Sequence, residues 1–486
     1  MKYPVYYTFC CLAFLFQTAC TPAKELQPNV LMIMVDDLNT DLGSYGHPVV
    51  RTPHIDQLAS QGILFTRAYT QYPQCNQSRA SLLTGLYPDQ TKVLSLKEHF
   101  RDELPSVTTL PQHFRNNGYF TARVGKVFHQ GVPNEIGVDG LDDPVSWDEV
   151  VNPRGIDVEV DEQIVSIVPP EKDKRSFGGT LSWLNRASED QQHTDGKGAD
   201  AAIRLMTENH PGKTGKPFFL ALGFYRPHTP FIAPEAYFDL YPLEQIKPVE
   251  VLPGDRENKP VAALADRKYQ ADMSDLQKRQ AIQAYYASIS FIDAQLGRVT
   301  AALDKLGLAD NTLLVFVSDH GYQLGLHGLW QKKDLFENTA RVPLILVAPG
   351  QFKPGLKSAT LTELIDIYPT LVALAGLDKP GSKLEGKNLQ AILHGQQAPR
   401  KTALSQSWSA AHLTRPERRK MKIMGYSIRT DQYRYTEWAG GKEGVELYDY
   451  QSDPDEFQNQ VMSEEYQHIA RQMKSLLNDK LQQIQK

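Results

Sequence analysis

The stretch NVLMIMVDDLN (residues 29–39) is an apolar run that ends in two carboxylates. Its length and composition are typical of a strand that is buried on both faces of a parallel sheet. Helical patterns separate it from three runs of the same form, and a fifth apolar run, VPLILVAPG (342–350), carries no polar end. This alternation predicts an α/β fold in which a large, mostly parallel or mixed sheet is sandwiched by helices. The three similar runs are YFTARVGKVFH (119–129), PFFLALGFYRPH (217–228) and TLLVFVSDHG (312–321).

The polar side chains at the ends of these four strands are suited to chemistry. Taken singly, each has a plainer explanation, because an Asp pair after a strand is often a turn or a helix cap. Their recurrence at four strand ends favours a site, since the carboxyl ends of parallel strands meet at one edge of a sheet. The groups are Asp36 and Asp37, Lys126 and His129, His228, and Asp319 with His320.

The composition is that of an ordinary globular protein. Of 486 residues, 41% are hydrophobic and 22% are charged, and the net charge is -5. This charge gives no electrostatic basis for binding nucleic acid. No internal stretch approaches the roughly 20 apolar residues that span a bilayer, so no transmembrane segment is expected.

The pattern along the chain predicts two structural units after the N-terminus. Residues 24–375 read as the α/β domain that carries the candidate site, and residues 376–486 as a smaller α+β subdomain with an antiparallel sheet. Two polar segments, 145–200 and 240–275, are long for plain connections. We interpret them as surface insertions that build pocket walls.

The first 23 residues have the form of an export signal. One lysine precedes a short apolar run and small residues, ending near Cys20. A lipoprotein leader attached at Cys20 and ordinary cleavage near Ala19 or Ala23 both fit this pattern. We expect the protein to be exported to a bacterial periplasm, with or without a lipid anchor.

Cys75 is the only cysteine beyond this leader. It therefore has no intramolecular disulfide partner in the exported chain. In an oxidising compartment, a lone cysteine is either a buried apolar side chain or a chemically used group. The residues around it decide between the two.

The motifs together resemble the type I sulfatases of the alkaline phosphatase superfamily, and within them the iduronate-2-sulfatase-like branch. The resemblance covers nearly the whole mature chain. SDHG alone is not specific, because related phosphatases and phosphodiesterases use similar strings, but the ordered set is. The set comprises MVDDLN with TPHIDQLASQGILFTRAY, then CNQSRASLLTG, GKVFH, YRPHTPF, SDHGYQLGLHGLWQKK and LYDYQSDPDEFQN.

The resemblance implies that a maturation enzyme oxidises Cys75 to formylglycine. One hydroxyl of the aldehyde hydrate then attacks the sulfur atom, and the other loses a proton so that sulfate is expelled and the aldehyde is restored. This chain departs from the family motif at Gln77, where proline is most common, and keeps the arginine at Arg79.

The resemblance also implies one calcium ion. Three of the implied ligands are carboxylates, and the sequence has no Cys-x-x-Cys or paired zinc-type histidine motif, so a hard cation is favoured over zinc. His320 occupies a position where many sulfatases have Asn and the iduronate-2-sulfatase-like branch has His. The implied ligands are Asp36, Asp37, Cys75, Asp319 and His320.

The remaining roles come from motif matches. Asp319 is expected to help deprotonate the attacking hydroxyl, His228 to protonate the departing sugar oxygen, and His129 to act as the base in sulfate release. Lys333 competes with Lys332 for one position, and the spacing from LGLHGLW favours Lys332. Lys126 and Lys332 are expected to bind the sulfate oxygens and, together with Arg79, to stabilise negative charge.

The implied substrate is the 2-O-sulfate of a terminal uronic acid in heparin, heparan or chondroitin sulfate oligosaccharides, including the unsaturated uronates that lyases leave. Three alternatives stay open. One is a sulfatase of other carbohydrate or aryl sulfates. Another is a phosphoester or phosphonate hydrolase of the same superfamily, although such enzymes commonly use Thr or Ser with two zinc ions. The third is a noncatalytic glycan-binding protein, if Cys75 is not modified.

Overall fold

The computed structural model describes most of the chain. The predicted leader, including Cys20, lies outside the described residues except for its first five. Within the described residues, no helix has the length and apolar character needed to cross a bilayer. The described residues are 1–5, 27–159, 163–168, 177–393, 395–396, 400–411 and 423–485.

Strands and helices are numbered here in chain order. The strands are β1 (Asn29–Val35), β2 (Ile63–Tyr69), β3 (Phe120–Gly125), β4 (Glu149–Val151), β5 (Val165–Ser166), β6 (Ser182–Arg186), β7 (Phe218–Phe224), β8 (Phe231–Pro234), β9 (Thr312–Ser318), β10 (Gln323–Leu324), β11 (Trp330–Gln331), β12 (Arg341–Val347), β13 (Leu356–Ser358), β14 (Thr362–Glu363), β15 (Ala403–Trp408), β16 (Met424–Arg429), β17 (Tyr433–Trp438) and β18 (Val445–Asp449). The α-helices are α1 (Pro53–Gln61), α2 (Cys75–Thr84), α3 (Pro88–Thr91), α4 (Phe100–Glu103), α5 (Leu110–Asn116), α6 (Thr194–Glu208), α7 (Pro211–Thr214), α8 (Glu235–Phe238), α9 (Asp275–Lys305), α10 (Glu337–Ala340), α11 (Ile367–Leu374), α12 (Gln390–Leu393) and α13 (Gln467–Gln485).

The central sheet has the strand order β13-β2-β12-β9-β1-β7-β3-β4, and β14 also pairs with β2. Neighbouring strands are parallel except at β12, which runs antiparallel to both β2 and β9. The predicted α/β fold with a mixed sheet is therefore confirmed. Because β12 runs in the reverse direction, its carboxyl end lies at the opposite edge of the sheet from the ends of the four strands that carry polar groups. A polar residue after β12 would therefore lie far from those groups, which is consistent with the absence of a polar end in this run.

Helices cover both faces of this sheet, which explains why β1 is apolar throughout. Successive side chains of a strand point to opposite faces. Leu31, Ile33 and Val35 pack in a core that includes the apolar face of α9. Met32 and Met34 pack in a second core that includes residues of α2, α5 and α11.

One interpretation of the polar segments is wrong. Residues 145–200 are not simply a surface excursion, because β4 pairs with β3 and forms an edge of the central sheet. Strands β5 and β6 of the same segment form a small sheet with β8. The many charged residues hid these strands because an edge strand and a small sheet bury only part of their surface.

A four-stranded antiparallel sheet, β15-β16-β17-β18, forms the C-terminal part of the fold. The antiparallel sheet predicted within residues 376–486 is confirmed. Helix α13 packs on this sheet, and its Met473 and Leu477 share a core with Tyr87 of the first unit. The boundary at residues 375 and 376 remains a prediction.

Candidate active site

Four neighbouring strands bring the candidate residues to one place. Strands β9, β1, β7 and β3 are adjacent and parallel, so their carboxyl ends lie at the same edge of the sheet. The predicted convergence of the four strand ends is confirmed. Asp36 and Asp37 follow β1, Lys126 and His129 follow β3, His228 follows β7, and Asp319 and His320 follow β9.

Cys75 is the first residue of α2 and is buried beside these groups. Its Sγ lies 3.3 Å from Nε2 of His320, 3.8 Å from Oδ1 of Asp37 and 3.2 Å from Nζ of Lys332. Burial, together with the negative charge of Asp36, raises the pKa of the thiol. The unmodified side chain is therefore an uncharged thiol, which is a poor nucleophile.

Arg79 lies one turn further along α2 and joins two of the carboxylates. Its Nε donates to Oδ2 of Asp319 at 2.8 Å, and its Nη2 donates to Oδ1 of Asp36 at 3.3 Å. Its Nη1 donates to the carbonyl oxygens of Lys126 and Val127. The guanidinium thus fixes the positions of both carboxylates, while its expected role in stabilising negative charge on the substrate remains a prediction.

Lys126 and Lys332 each form an ion pair with one of the two consecutive aspartates, Asp36 and Asp37. Lys126 Nζ donates to Oδ2 of Asp36 at 2.5 Å, and Lys332 Nζ donates to Oδ1 of Asp37. Burial alone would raise the pKa of Asp36, but the charge of Lys126 holds it well below its usual range. Lys332, rather than Lys333, is the lysine within hydrogen-bond distance of Cys75.

The donor set fits a hard divalent cation. Oδ2 of Asp37 is buried and has no hydrogen-bond partner in the described part of the chain. Two groups of side chains each bring four potential ligand atoms within 4.8 Å of one another, and in each group two of the four are carboxylate oxygens, which are the ligands that calcium prefers. The groups are Asp36, Cys75, Asp319 and His320, and Asp36, Asp37, Cys75 and His228.

His320 has the orientation of a metal ligand. Its Nδ1 lies 2.9 Å from the carbonyl oxygen of Gly321, which fixes the proton on that nitrogen. Its Nε2 therefore presents a lone pair, 3.3 Å from Oδ1 of Asp37. This geometry is compatible with the ligand role that the sequence predicts.

His228 is also held by a backbone carbonyl. Its Nδ1 lies 2.6 Å from the carbonyl oxygen of Thr229, and its Nε2 lies 3.9 Å from Oδ2 of Asp37. Burial and the nearby charge of Lys332 lower the pKa of His228 to about 3, against the opposing effect of Asp37. The imidazole is therefore neutral at pH 7 before an anionic ligand binds.

His129 lies at the margin of the cluster. No hydrogen bond joins its side chain to another described residue, and its Nδ1 is buried without a partner. Burial and the charge of Lys126 hold the pKa of His129 well below its usual range. A neutral imidazole with a free nitrogen can accept a proton, which is the role predicted for it.

Comparison with known proteins identifies the family. The family model described as Sulfatase matches residues 28–377. The chain belongs to the sulfatase family. It is a hydrolase of sulfate esters, and a second family model, N-sulphoglucosamine sulphohydrolase, C-terminal, matches residues 325–483 of this sulfatase. The resemblance drawn from the sequence motifs is thereby confirmed.

Individual relatives agree with this assignment. Iduronate 2-sulfatase of Homo sapiens is 35% identical over 496 residues, which cover 85% of this sulfatase and 85% of the relative. A sulfatase of Formosa agariphila is 30% identical over an alignment that covers 93% of this chain and 87% of the relative. The solved structure of a phosphonate monoester hydrolase of Agrobacterium radiobacter has a TM-score of 0.75 and 24% identity, covering 94% and 95% of the two chains. That structural likeness shows the shared fold.

The sulfatase site contains positioning residues that the sequence did not reveal. The hydroxyl of Tyr285, on α9, contacts the backbone on both sides of the turn that follows β1. Arg226 donates to the carbonyl oxygen of His228 at 3.1 Å and pairs with Asp157 at 2.9 Å. The signal for Tyr285 was a tyrosine in the buried helical stretch AYYASISF, because a buried hydroxyl needs a partner.

Proposed function

We propose that this sulfatase removes the 2-O-sulfate of a terminal uronic acid from glycosaminoglycan oligosaccharides. The main support for this proposal is the 35% identity, over 85% of both chains, to a protein named iduronate 2-sulfatase. Heparin, heparan and chondroitin sulfate all contain such residues, and unsaturated uronates are included in the proposal. The action is exo, at the non-reducing end of the oligosaccharide.

The proposal includes conversion of Cys75 to formylglycine by a maturation enzyme. The support is chemical: the raised pKa of the buried thiol leaves cysteine itself unsuited to attack at neutral pH. The hydrate of formylglycine would supply one hydroxyl for attack on sulfur and a second for regeneration of the aldehyde. The position of Cys75 among lysines and carboxylates suits this chemistry.

The chain's own residues would bind the sulfate and move the protons. The ammonium group of Lys332 contacts Cys75 Sγ, and that of Lys126 contacts the carboxylate of Asp36. Both ammonium groups can therefore bind sulfate oxygens. Asp319 would take the proton of the attacking hydroxyl. His228 would give a proton to the departing sugar oxygen, and His129 would accept one during sulfate release.

We further propose that calcium binds to Asp36, Asp37, Asp319, His320 and the modified Cys75. The support is the set of carboxylate oxygens and the partnerless Oδ2 of Asp37. When bound, calcium would orient the sulfate and offset negative charge during transfer. Arg79 holds Asp36 and Asp319 in place for this role.

The proposal for the cellular site rests on the N-terminal sequence alone. One lysine, an apolar run and Cys20 are the features that favour export to a bacterial periplasm, with or without lipid attachment. Degradation of glycans outside the cytoplasm would fit such a location. N-terminal sequencing of the protein isolated from its own cells tests it.

A panel of defined disaccharides tests the substrate. Each carries one sulfate, at the uronate 2-position or at the hexosamine N, 4 or 6 position, and the products are resolved by chromatography. A phosphonate monoester is included because phosphonate hydrolases share the fold. The highest kcat/KM is expected on the uronate 2-sulfate. A higher value on any hexosamine sulfate, or on the phosphonate, would refute the proposed substrate.

A further inference from the structure

Lys332 lies in a strained stretch of backbone. It directly follows the hairpin formed by β10 and β11, and its Nζ lies 3.2 Å from Sγ of Cys75. The residues on both sides of it, Gln331 and Lys333, have φ angles of 75° and 90°. Such left-handed conformations are disfavoured for residues other than glycine, and they persist where surrounding contacts fix them. The position of the Lys332 ammonium therefore depends on what holds this hairpin.

The side chain of Gln270 holds the end of the hairpin that leads into Lys332. Its Nε2 donates a hydrogen bond to Oε1 of Gln331 at 2.9 Å, and both side chains are buried. Loss of this donor would leave a buried oxygen without its partner, which is unfavourable. The contact therefore fixes Gln331, one residue before Lys332, in its left-handed conformation.

A buried cluster of charged groups holds the turn at the other end of the hairpin. His327 lies in the turn Leu326–Gly328 with a φ of 56°, and its Nδ1 lies 3.0 Å from Oδ1 of Asp255. Nζ of Lys259 lies 2.6 Å from the same oxygen, and the three side chains are buried. Arg256 donates a hydrogen bond to the carbonyl oxygen of His327 at 2.7 Å. The turn is thus fixed both at a side chain and at the backbone.

Both anchors of the hairpin come from the polar segment 240–275. Residues of the segment and of the hairpin also line an open cavity of about 500 Å³, among them Val251, Gln270, Gly325 and Trp330. Because this space is open, polar contacts at its margins join the segment to the hairpin, rather than continuous packing. The hairpin therefore depends on the contacts at Gln331 and His327 for its position.

We propose that Gln270 and Asp255 are positioning residues that hold Lys332 beside residue 75, through their contacts with Gln331 and His327. This inference rests on the sulfate-binding role proposed for Lys332. It gives the polar segment 240–275 a supporting role in catalysis. Support of this kind matters because a displacement of about 1 Å at a reacting group can cost about 100-fold in rate.

A double-mutant cycle tests whether Gln270 acts through Lys332. The variants Gln270→Leu, Lys332→Ala and their combination are assayed on an aryl sulfate, which contains no uronate and whose phenolate leaves readily. Gln270→Leu alone is expected to lower kcat/KM about 10-fold or more. It should have no further effect once Lys332 is replaced, because interacting residues are not additive. Equal losses in both backgrounds would overturn the inference, since general damage to the structure would act in both.

Gln351→Leu is the matched control for this cycle. It removes a comparable hydrogen bond, from Nε2 to the carbonyl oxygen of Leu374 at 3.0 Å, in a loop that follows β12. The control should keep the wild-type kcat/KM. A loss in Gln351→Leu as large as that in Gln270→Leu would also overturn the inference.

Rescue at position 327 tests the anchor at the turn. Asn tolerates a left-handed φ, and its amide nitrogen can donate to Asp255 as the imidazole does. His327→Ala should therefore lower kcat/KM on the aryl sulfate about 10-fold, and His327→Asn should recover most of that loss. Equal losses in the two variants would overturn the role of Asp255.

The outcomes of these experiments are separate from those that test the substrate. Preference for a hexosamine sulfate would refute the uronate proposal and leave the cycle on the aryl sulfate unaffected. Additive losses in the cycle would overturn the positioning role and leave the uronate proposal standing. A wild-type kcat/KM in Lys332→Ala would refute the sulfate-binding role of Lys332, and this inference with it.

Discussion

The hydroxyl of Tyr285 donates a hydrogen bond to the carbonyl oxygen of Asp37 at 2.7 Å and accepts one from the backbone N–H of Asn39 at 2.9 Å. Asp37 has a φ of 64°, in the left-handed region, where a residue other than glycine is disfavoured by about 1 kcal/mol or more. Helix α9 thus holds the turn that presents Asp36 and Asp37, two of the three aspartates of the proposed calcium site.

Replacing Tyr285 with Phe should weaken calcium binding. Loss of a group that orients a metal ligand typically costs about 10-fold or more in affinity. The measurement is the dissociation constant for calcium by calorimetry, which does not depend on turnover. Tyr286→Phe is the matched control, because the hydroxyl of Tyr286 faces His47 instead. Equal dissociation constants in the two variants would contradict this role of Tyr285.

Removal of the divalent cation should abolish turnover, and calcium should restore it. The physical reason is the oxygen-rich donor set, in which Asp36, Asp37 and Asp319 carry negative charge that a hard cation offsets. Activity is measured after chelation and after addition of calcium or zinc in excess of the chelator. Stoichiometric zinc in the isolated enzyme, with zinc alone restoring turnover, would contradict the assignment.

Replacing His228 with Ala should slow hydrolysis of sulfated sugars more than that of an aryl sulfate. A sugar alkoxide is a poor leaving group and needs a proton, whereas a phenolate leaves readily. The expected loss in kcat/KM on the sugar is about 100-fold or more, the usual contribution of a general acid. Equal losses on both substrates would indicate that His228 binds the sulfate instead of protonating the leaving group.

Glu337 should make the free energy of unfolding decrease as the pH falls into the acidic range. Burial alone would raise its pKa, but Arg434, Arg429 and Arg341 lower it to about 2 from 4.5. The carboxylate also accepts hydrogen bonds from Tyr69 and Tyr450 at 3.0 Å each. Because the pKa is lower in the folded state, this stabilisation is present above pH 4.5 and is lost as the pH falls towards 2.

Urea unfolding of Glu337→Gln tests this dependence. Breaking a buried ion pair by removing one partner costs about 3 kcal/mol or more, so the variant should be less stable than the wild type at pH 7 by that amount. The difference should narrow as the pH falls below 4.5. Glu250→Gln, at an exposed position, should match the wild type. A difference that stays constant with pH would contradict the proposed linkage.

The sequence predicted those parts of the fold that depend on local patterns. The runs that became β1, β3, β7 and β9 are almost continuously apolar, because both faces are covered, and their polar ends marked the site. Strand β2 was missed because Thr66 and Arg67 interrupt its apolar pattern. The direction of β12 was also beyond prediction, because it depends on which strands it pairs with.

The positioning residues could not be predicted for a similar reason. Tyr285 meets Asp37 across 248 positions of the chain, so no local pattern connects them. Arg226 likewise meets Asp157 across 69 positions of the chain. In contrast, Cys75, Arg79 and Asp319 were found because motifs quoted from the sequence carried them, and the structure brings all three together.

The central claim is that this sulfatase acts through formylglycine at position 75, and mass spectrometry of the peptide containing that residue tests it most directly. In fully active enzyme, the peptide is expected to be about 18 Da lighter than the thiol form, as the oxidation of cysteine to the aldehyde requires. Cys75→Ala should abolish turnover while the protein still folds. An unmodified cysteine peptide in fully active enzyme would contradict the account.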